Sequence, residues 1–450
     1  MRRIYLRIYP CEAEGIVLVS KDNRYRLPYI DLIAGKKLPV RNLTTVVLHA
    51  AREKYKLEGV VLGFFKDNDG YELCDIEMYV EQQPDFCMDM ALCEPTCLDG
   101  KECSLVATGP DRGTVFDILA SSPWERRGWI SVIRPWIEKR LEQIGERMVQ
   151  PPLQIKGAWP RSTVLRVEAE RQTYYFKWSY AIPPWEWQIL SLLSEVAPSC
   201  VPEMTAYDET RNSLLLEPFE PVLIRDMDIG VEEEAVSLYA QIQLGTLSYL
   251  ERLRNWGCPV LDSDSLILAF AKLSGDIALF SYGLRESDRD RLNRISPMLY
   301  RDCLQLLRGI VPVCLNNEDF QNGNLALKHG KVVIYDWANT YISHPFFSYH
   351  HFLFRRCSYL SEKAEGATAG TVCNEERILS QRYLQHWLKF ASQEELERDF
   401  AISEKLFWLL EGIKCERERR YIEPGSEWYH NIMHHIVESL HKLISIYVDE

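Results

Sequence analysis

Three polar residues close together in the chain define the chemistry this sequence could perform. In Leu315-Asn-Asn-Glu-Asp319-Phe-Gln-Asn-Gly-Asn324 an asparagine follows an aspartate by five residues, and Lys331-Val-Val-Ile-Tyr-Asp336-Trp337 sets a second aspartate at the end of an apolar strand. Kinase-type phosphoryl transfer needs such a set. One carboxylate accepts or orients the proton of the attacking hydroxyl, and an amide and a second carboxylate hold Mg²⁺ against the phosphates. A D-x-x-x-x-N pair alone arises by chance in a chain of 450 residues. Joined to an apolar strand ending in Asp-Trp, after a strand-rich region, it is a far rarer combination. A tight reversal near His329-Gly330 is expected to return Asp336 to the side of Asp319 and Asn324.

The stretch resembles the signature of the aminoglycoside-phosphotransferase and choline-kinase-like family, H-G-D-x-x-x-x-N followed by a strand and Asp-Trp, over about residues 155–360. The resemblance implies a protein-kinase-like fold, with Asp319 as catalytic base, Asn324 and Asp336 as magnesium ligands, and ATP and Mg²⁺ as cofactors. It further implies a small hydroxylated acceptor, since members phosphorylate choline, homoserine, sugars, macrolides and aminoglycosides. Two departures stand out. Asn317 and Glu318 replace the family's His-Gly before the aspartate, which puts efficiency in doubt more than fold. Ser343-His344-Pro345 replaces its later Gly-Asp-Pro.

Upstream residues fill the remaining places by order along the chain. Lys177 ends the strand Tyr174-Tyr-Phe-Lys177, where kinases set the lysine that grips the α- and β-phosphates. Glu186, near the start of the next helix, is its expected ion-pair partner, with Glu195 a rival on the same helix. Gly157 to Thr163 would be the phosphate loop, the main-chain amides of Ser162 and Thr163 meeting phosphate oxygens beside Arg161. An ordinary strand entry explains that stretch equally well. In Glu217-Pro-Phe-Glu220, where the lobes would join, Glu217 and Phe219 are expected to contact adenine through main-chain atoms.

The elements that must position these groups are legible from periodicity. Residues 1–105 read as a small α+β accessory domain: a strand at 15–20, a helix at 44–56, and a hairpin formed by 60–65 and 71–80. Its order weakly resembles a Nudix fold, but Arg41 and Lys56-Leu57 stand where that family has metal-binding glutamates, so the domain is expected to be catalytically empty. Residues 106–150 form a linker and an amphipathic helix over 123–148, whose Trp129, Ile130, Ile133, Trp136, Ile137, Leu141 and Ile144 share a face. That helix is expected to dock the front domain onto the strand-rich region C-terminal to it, with Pro135 kinking or dividing it. Residues 151–220 form a β-rich N-lobe and 221–450 a helical C-lobe carrying the catalytic loop. The expected fold class is therefore α+β, a bilobal kinase-like fold behind an accessory domain.

Composition narrows the alternatives. An apolar fraction of 46% and 26% charged residues suit packed globular domains. A net charge of −13 argues against nucleic acid as a partner and is compatible with a cationic substrate. No apolar run is long enough for a membrane helix and no secretion signal opens the chain, so a cytoplasmic protein with reduced thiols is expected from its 13 cysteines. Cys87, Cys93, Cys97 and Cys103 crowd one stretch, where free thiols fit better than a zinc site. His344, His350, His351, His430, His434 and His435 read as core or surface histidines, and no G-x-S-x-G supports hydrolase chemistry. Oligomeric state is not legible. The competing function is a pseudokinase or nucleotide-binding scaffold without turnover, suggested by the lost His-Gly and the glycine-poor phosphate loop. A regulatory ligand site in the front domain is a third idea.

Overall fold

The computed structural model describes residues 2–9, 16–21, 24–32, 40–66, 71–79, 90–93, 122–156, 161–179, 185–218, 229–362, 369–422, 424–425 and 427–448. The fold class is α+β. Two compact units emerge, one formed by residues 1–180 and 205–218, the other by 181–204 and 219–450.

The first unit is dominated by β-structure. Strands β1 (Arg2–Tyr9), β4 (Tyr29–Leu32), β5 (Gly59–Lys66) and β6 (Glu72–Met78) form a sheet in the order β4-β1-β6-β5. β5 and β6 pair antiparallel, as the hairpin pattern predicts, but β1 lies parallel to β6. Helix α1 (Val40–Tyr55) buries Leu43, Val47, Leu48 and Ala51 together with Ile4, Leu6, Ile76 and Met78 of this sheet. Strands β2 (Ile16–Lys21), β3 (Arg24–Arg26) and β7 (Met90–Cys93) form a separate three-stranded sheet. Of the four crowded cysteines, Cys87, Cys97 and Cys103 lie outside the described residues, and Cys93 closes β7.

A five-stranded sheet completes this unit in the order β11-β12-β10-β9-β8, from β8 (Leu153–Lys156), β9 (Ser162–Glu168), β10 (Thr173–Ser179), β11 (Met204–Asp208) and β12 (Ser213–Leu216). Helix α2 (Trp129–Gln143) buries Trp129, Ile130, Ile133, Ile137 and Leu141 in one core with Val60, Leu62 and Tyr79 of the front domain and Leu165, Val167 and Phe176 of this sheet. The docking role expected of the amphipathic helix is thus observed. Pro135 does not divide the helix: one helix runs through the proline, preceded by a 3-10 turn at Pro123–Glu125. Proline inside a helix costs about 3 kcal/mol. Five buried apolar side chains at about 1.5–3 kcal/mol each outweigh that.

The second unit is mostly helical: α3 (Glu186–Val196), α4 (Ile229–Gly245), α5 (Leu250–Asn255), α6 (Ser263–Gly275), α7 (Glu286–Leu307), α8 (Phe346–Glu362), α9 (Ala369–Leu384), α10 (Gln393–Arg419) and α11 (Glu427–Val448). One core of this unit joins Leu292, Ile295, Leu299 and Leu306 of α7 with Leu406, Leu409 and Leu410 of α10 and Ile436, Leu440 and Leu443 of α11. Two small strand pairs sit among the helices. β13 (Cys314–Asn317) pairs with β16 (Thr340–Ser343), and β14 (Leu325–Lys328) with β15 (Lys331–Ile334). Among the described residues, no helix is long and apolar enough to cross a membrane.

Candidate phosphoryl-transfer site

The site grows out of the two strand pairs. β13 is buried throughout and runs into Glu318-Asp319, where the chain turns. Pairing with β16 fixes that exit, because the amide of Glu318 donates to the carbonyl of Asn339 at 2.9 Å. A single 3-10 turn over Asn322–Asn324 then feeds β14. The reversal to β15 uses His329 and Gly330 with φ of 51° and 76°. Two successive left-handed residues make the tight turn whose twist suits a two-residue hairpin. The predicted reversal is therefore present, and it returns the chain to the start of the loop.

Hydrogen bonds join Asn324 to Asp319 and the Asn324 backbone to the residue before Asp336. The Asn324 amide nitrogen donates to the Asp319 carboxylate and to its main-chain carbonyl, both at 2.8 Å. With both of its hydrogens directed at Asp319, Asn324 keeps its carbonyl oxygen as the free end of the amide. The Tyr335 amide donates to the Asn324 main-chain carbonyl at 3.0 Å, and the Tyr335 hydroxyl donates to the Gly323 main-chain carbonyl at 2.6 Å. Asp336 comes next in the chain, with φ of 62°. Aspartate tolerates this left-handed conformation better than most residues.

Asn317, standing where the resembled family has histidine, ties the two halves together. Its side-chain oxygen accepts from the Asp319 amide at 2.9 Å and its nitrogen donates to the Asp336 carbonyl at 3.1 Å. The Asn317 amide in turn donates to the Tyr239 hydroxyl at 2.8 Å, and the Tyr239 ring stacks on Phe320 with centroids 3.8 Å apart. Glu318, in place of the family's glycine, forms an ion pair with Arg417 of α10. Asn322 donates to Glu232 of α4 at 2.6 Å, and Glu232 is held by Arg356 of α8, which also reaches Glu375 of α9.

Charged groups from two distant helices surround Asp319. Its carboxylate accepts from Gln321 at 2.6 Å and lies 3.4 Å from Nε2 of His351 on α8. The other ring nitrogen of His351 is 2.9 Å from Glu411 on α10, and Lys414 stands one turn further along that helix. Burial alone would raise the Asp319 carboxyl. His351, Lys414 and Asn324 outweigh it and hold the group well below the usual carboxylate range. Burial also opposes ionisation of Glu411, yet Lys414 and His351 keep it down at about 2. For His351, burial and Lys414 push the pKa down, while Glu411 and Asp319 push it up and prevail.

The remaining predicted residues occupy varied settings. Glu186 begins α3, is buried, and accepts from the Trp337 amide at 3.1 Å, so it fixes the backbone just after Asp336. Glu195 is half-exposed and faces Arg252. Lys177 is buried in β10, between Val164 of β9 and Leu214 of β12 in register. Ser162 and Thr163 both lie within β9, paired with Ser179 and Trp178. The Thr163 hydroxyl accepts from Gln154 at 3.3 Å, which makes their setting a sheet rather than an open loop. Residues 157–160 and Phe219 lie outside the described residues, and Glu217 is half-buried at the end of its unit.

His344 and His350 are core histidines as expected, each pushed down to about 3 by burial. His351 is not a passive one. Sequence reasoning missed it, along with Glu411 and Lys414, because nothing in their spacing links them to Asp319. Among the described residues, no group of three His, Cys, Asp or Glu side chains is arranged to hold a metal ion. Asn324 and Asp336 supply an amide oxygen and a carboxylate, the hard oxygen donors Mg²⁺ takes when substrate phosphates and water complete its shell.

No protein-family model matches the sequence, and no curated protein sequence does. Solved structures with a similar course of chain include the choline kinase of Streptococcus pneumoniae, at 14% identity and a TM-score of 0.46, covering 69% of this chain and 99% of that one. A macrolide 2'-phosphotransferase type I aligns at 10% identity and 0.44, over 70% and 97% of the two chains. The GDP complex of aminoglycoside 2'-phosphotransferase-IIIa aligns at 14% and 0.45, over 68% and 98%. Each of the three is named as a kinase or phosphotransferase of a small molecule.

Proposed function

We propose that this protein is a small-molecule kinase, transferring the γ-phosphoryl group of ATP to a hydroxyl of its acceptor in a Mg²⁺-dependent reaction. What supports this reading is Asn317, which accepts from the Asp319 amide and donates to the Asp336 main-chain carbonyl, with Asn324 bonded to the Asp319 carboxylate. Asp319 is held anionic by its neighbours, and an anionic carboxylate is what can accept or orient a hydroxyl proton. Asn324 and Asp336 would hold the magnesium ion, which when bound neutralises charge on the transferring phosphate. Lys177 would grip the α- and β-phosphates, and main-chain atoms at Glu217 and Phe219 would read adenine. The remaining contribution is positioning: the strand pairs fix where the acceptor oxygen must approach.

The test is calorimetric titration with MgATP followed by phosphate transfer across a panel of hydroxylated metabolites, cationic ones included. Asp319→Ala is expected to bind MgATP as the parent does and to lose about 100-fold or more in turnover, the range for removing a general base. MgATP binding without turnover on any acceptor, with Asp319→Ala indistinguishable from the parent, would establish the scaffold reading instead.

A further inference from the structure

The side chains that touch the Asp319 carboxylate do different work. Asn324 donates to it at 2.8 Å but is the proposed magnesium ligand. Gln321 donates at 2.6 Å from a half-exposed position in the loop itself. Asn317 directs both of its polar ends at backbone, so it holds the loop and not the carboxylate. His351 reaches the carboxylate from α8, outside the loop, with only 6% of its side chain exposed.

Both nitrogens of the His351 ring face carboxylate oxygens, Nε2 facing Asp319 at 3.4 Å and Nδ1 facing Glu411 at 2.9 Å. A neutral imidazole has one donor and one acceptor nitrogen, so it can satisfy only one such partner. The protonated ring has an N–H for each: Nδ1 hydrogen-bonds Glu411, and Nε2 meets Asp319 as an ion-pair contact. Glu411 is itself fixed on the 27-residue helix α10, and Lys414 of that helix is the remaining charged neighbour. The His351 ring thus lies between two carboxylates, one of them on the helix that also carries Lys414. The ring of Phe407 on α10 lies against the imidazole with centroids 6.5 Å apart.

We infer that His351, backed by Glu411, is a positioning residue that orients the Asp319 carboxylate for the acceptor hydroxyl from outside the catalytic loop. This rests on the reading of Asp319 as the catalytic carboxylate. It assigns to a histidine on α8 and a glutamate on α10 the rigidity that the loop does not supply by itself.

Two measurements on the full-length protein test it. The first is ¹³C-ε1 histidine NMR titration, which needs no substrate. The His351 resonance, assigned by its loss in His351→Gln, is expected to titrate above 6.5, and Glu411→Gln is expected to move that midpoint down. A midpoint at or below 6.5 that Glu411→Gln leaves unmoved overturns the proposal. The second measures MgATP hydrolysis and its pH profile. His351→Gln is expected to keep the MgATP dissociation constant within about twofold and to lower kcat about 10-fold, the scale for losing a group that orients a catalytic one. It should also abolish the alkaline fall in rate that accompanies deprotonation of His351 in the parent. If Asp319→Ala abolishes hydrolysis while His351→Gln keeps the parent's kcat and pH profile, the positioning role is wrong and the catalytic reading stands. If Asp319→Ala leaves the rate intact, the catalytic reading itself has failed.

Discussion

Asn317 is one of the positions where this chain departs from the family its loop resembles, and its replacement gives a quantitative test of the site's construction. The side chain is fully buried and makes two hydrogen bonds, one to the Asp319 amide at 2.9 Å and one to the Asp336 carbonyl at 3.1 Å. Asn317→Ala removes both. Each bond contributes about 1 kcal/mol net, and a buried partner left unsatisfied costs about 1–3 kcal/mol. Some relaxation is available at the loop surface, since the Asp319 side chain is 34% exposed. The net loss is then about 2–4 kcal/mol, and for a unit of this size 1 kcal/mol corresponds to about 2–4 °C in Tm. Asn317→Asp separates the two bonds: it keeps an acceptor for the Asp319 amide but sets a carboxylate oxygen against the Asp336 carbonyl. It should cost at least as much stability as Asn317→Ala and relax the Asp336 side of the site selectively. Thermal unfolding gives the stability change, and ATP binding with and without magnesium reports on Asp336. Should Asn317→Ala melt within about 1 °C of the parent and retain full turnover, the reasoning that Asn317 locks the loop to the strand pair is refuted.

Three other perturbations probe the packing and the charge cluster. Arg356→Met leaves Glu232 and Glu375 without their shared buried cation and is expected to destabilise by about 3–5 kcal/mol in urea unfolding, with Glu232→Gln in the same background recovering part of it. The pH dependence of stability should carry the signature of the charge cluster. Glu411 is depressed, so its contribution is full above its ordinary 4.5 and is lost as pH falls toward 2. His351 is raised, so its contribution is full below its ordinary 6.5 and is lost as pH rises through its higher folded value. The Tm gap between the parent and His351→Gln should therefore be widest between pH 4.5 and 6.5 and narrow on both sides. Deleting residues 1–105 removes Val60, Leu62 and Tyr79 from the core they share with Leu165, Val167 and Phe176. At about 1.5–3 kcal/mol per side chain that is about 5–9 kcal/mol, and the truncated chain should bind a hydrophobic dye and lose its cooperative melt. An unchanged melt would mean the front domain is independent.

What the sequence alone determined was local. Asp319, Asn324 and Asp336 lie within a few turns of chain, so one loop, one strand pair and the His329-Gly330 reversal suffice to bring them together. Residue types at those places make the geometry nearly compulsory, and the helical and strand periods set the elements around them. The α2 face showed that something would be buried. It could not show that Val60 and Leu62 would meet Phe176 there, because apolar surface is non-directional and takes any partner of suitable shape. His351 and Glu411 illustrate the limit most clearly. They stand on separate helices 60 residues apart in sequence, each looks like an ordinary helical residue, and their pairing beside Asp319 depends on how α8 and α10 pack. Charge interactions act through space rather than along the chain, so only the tertiary structure decided that the Asp319 carboxylate would have a histidine beside it.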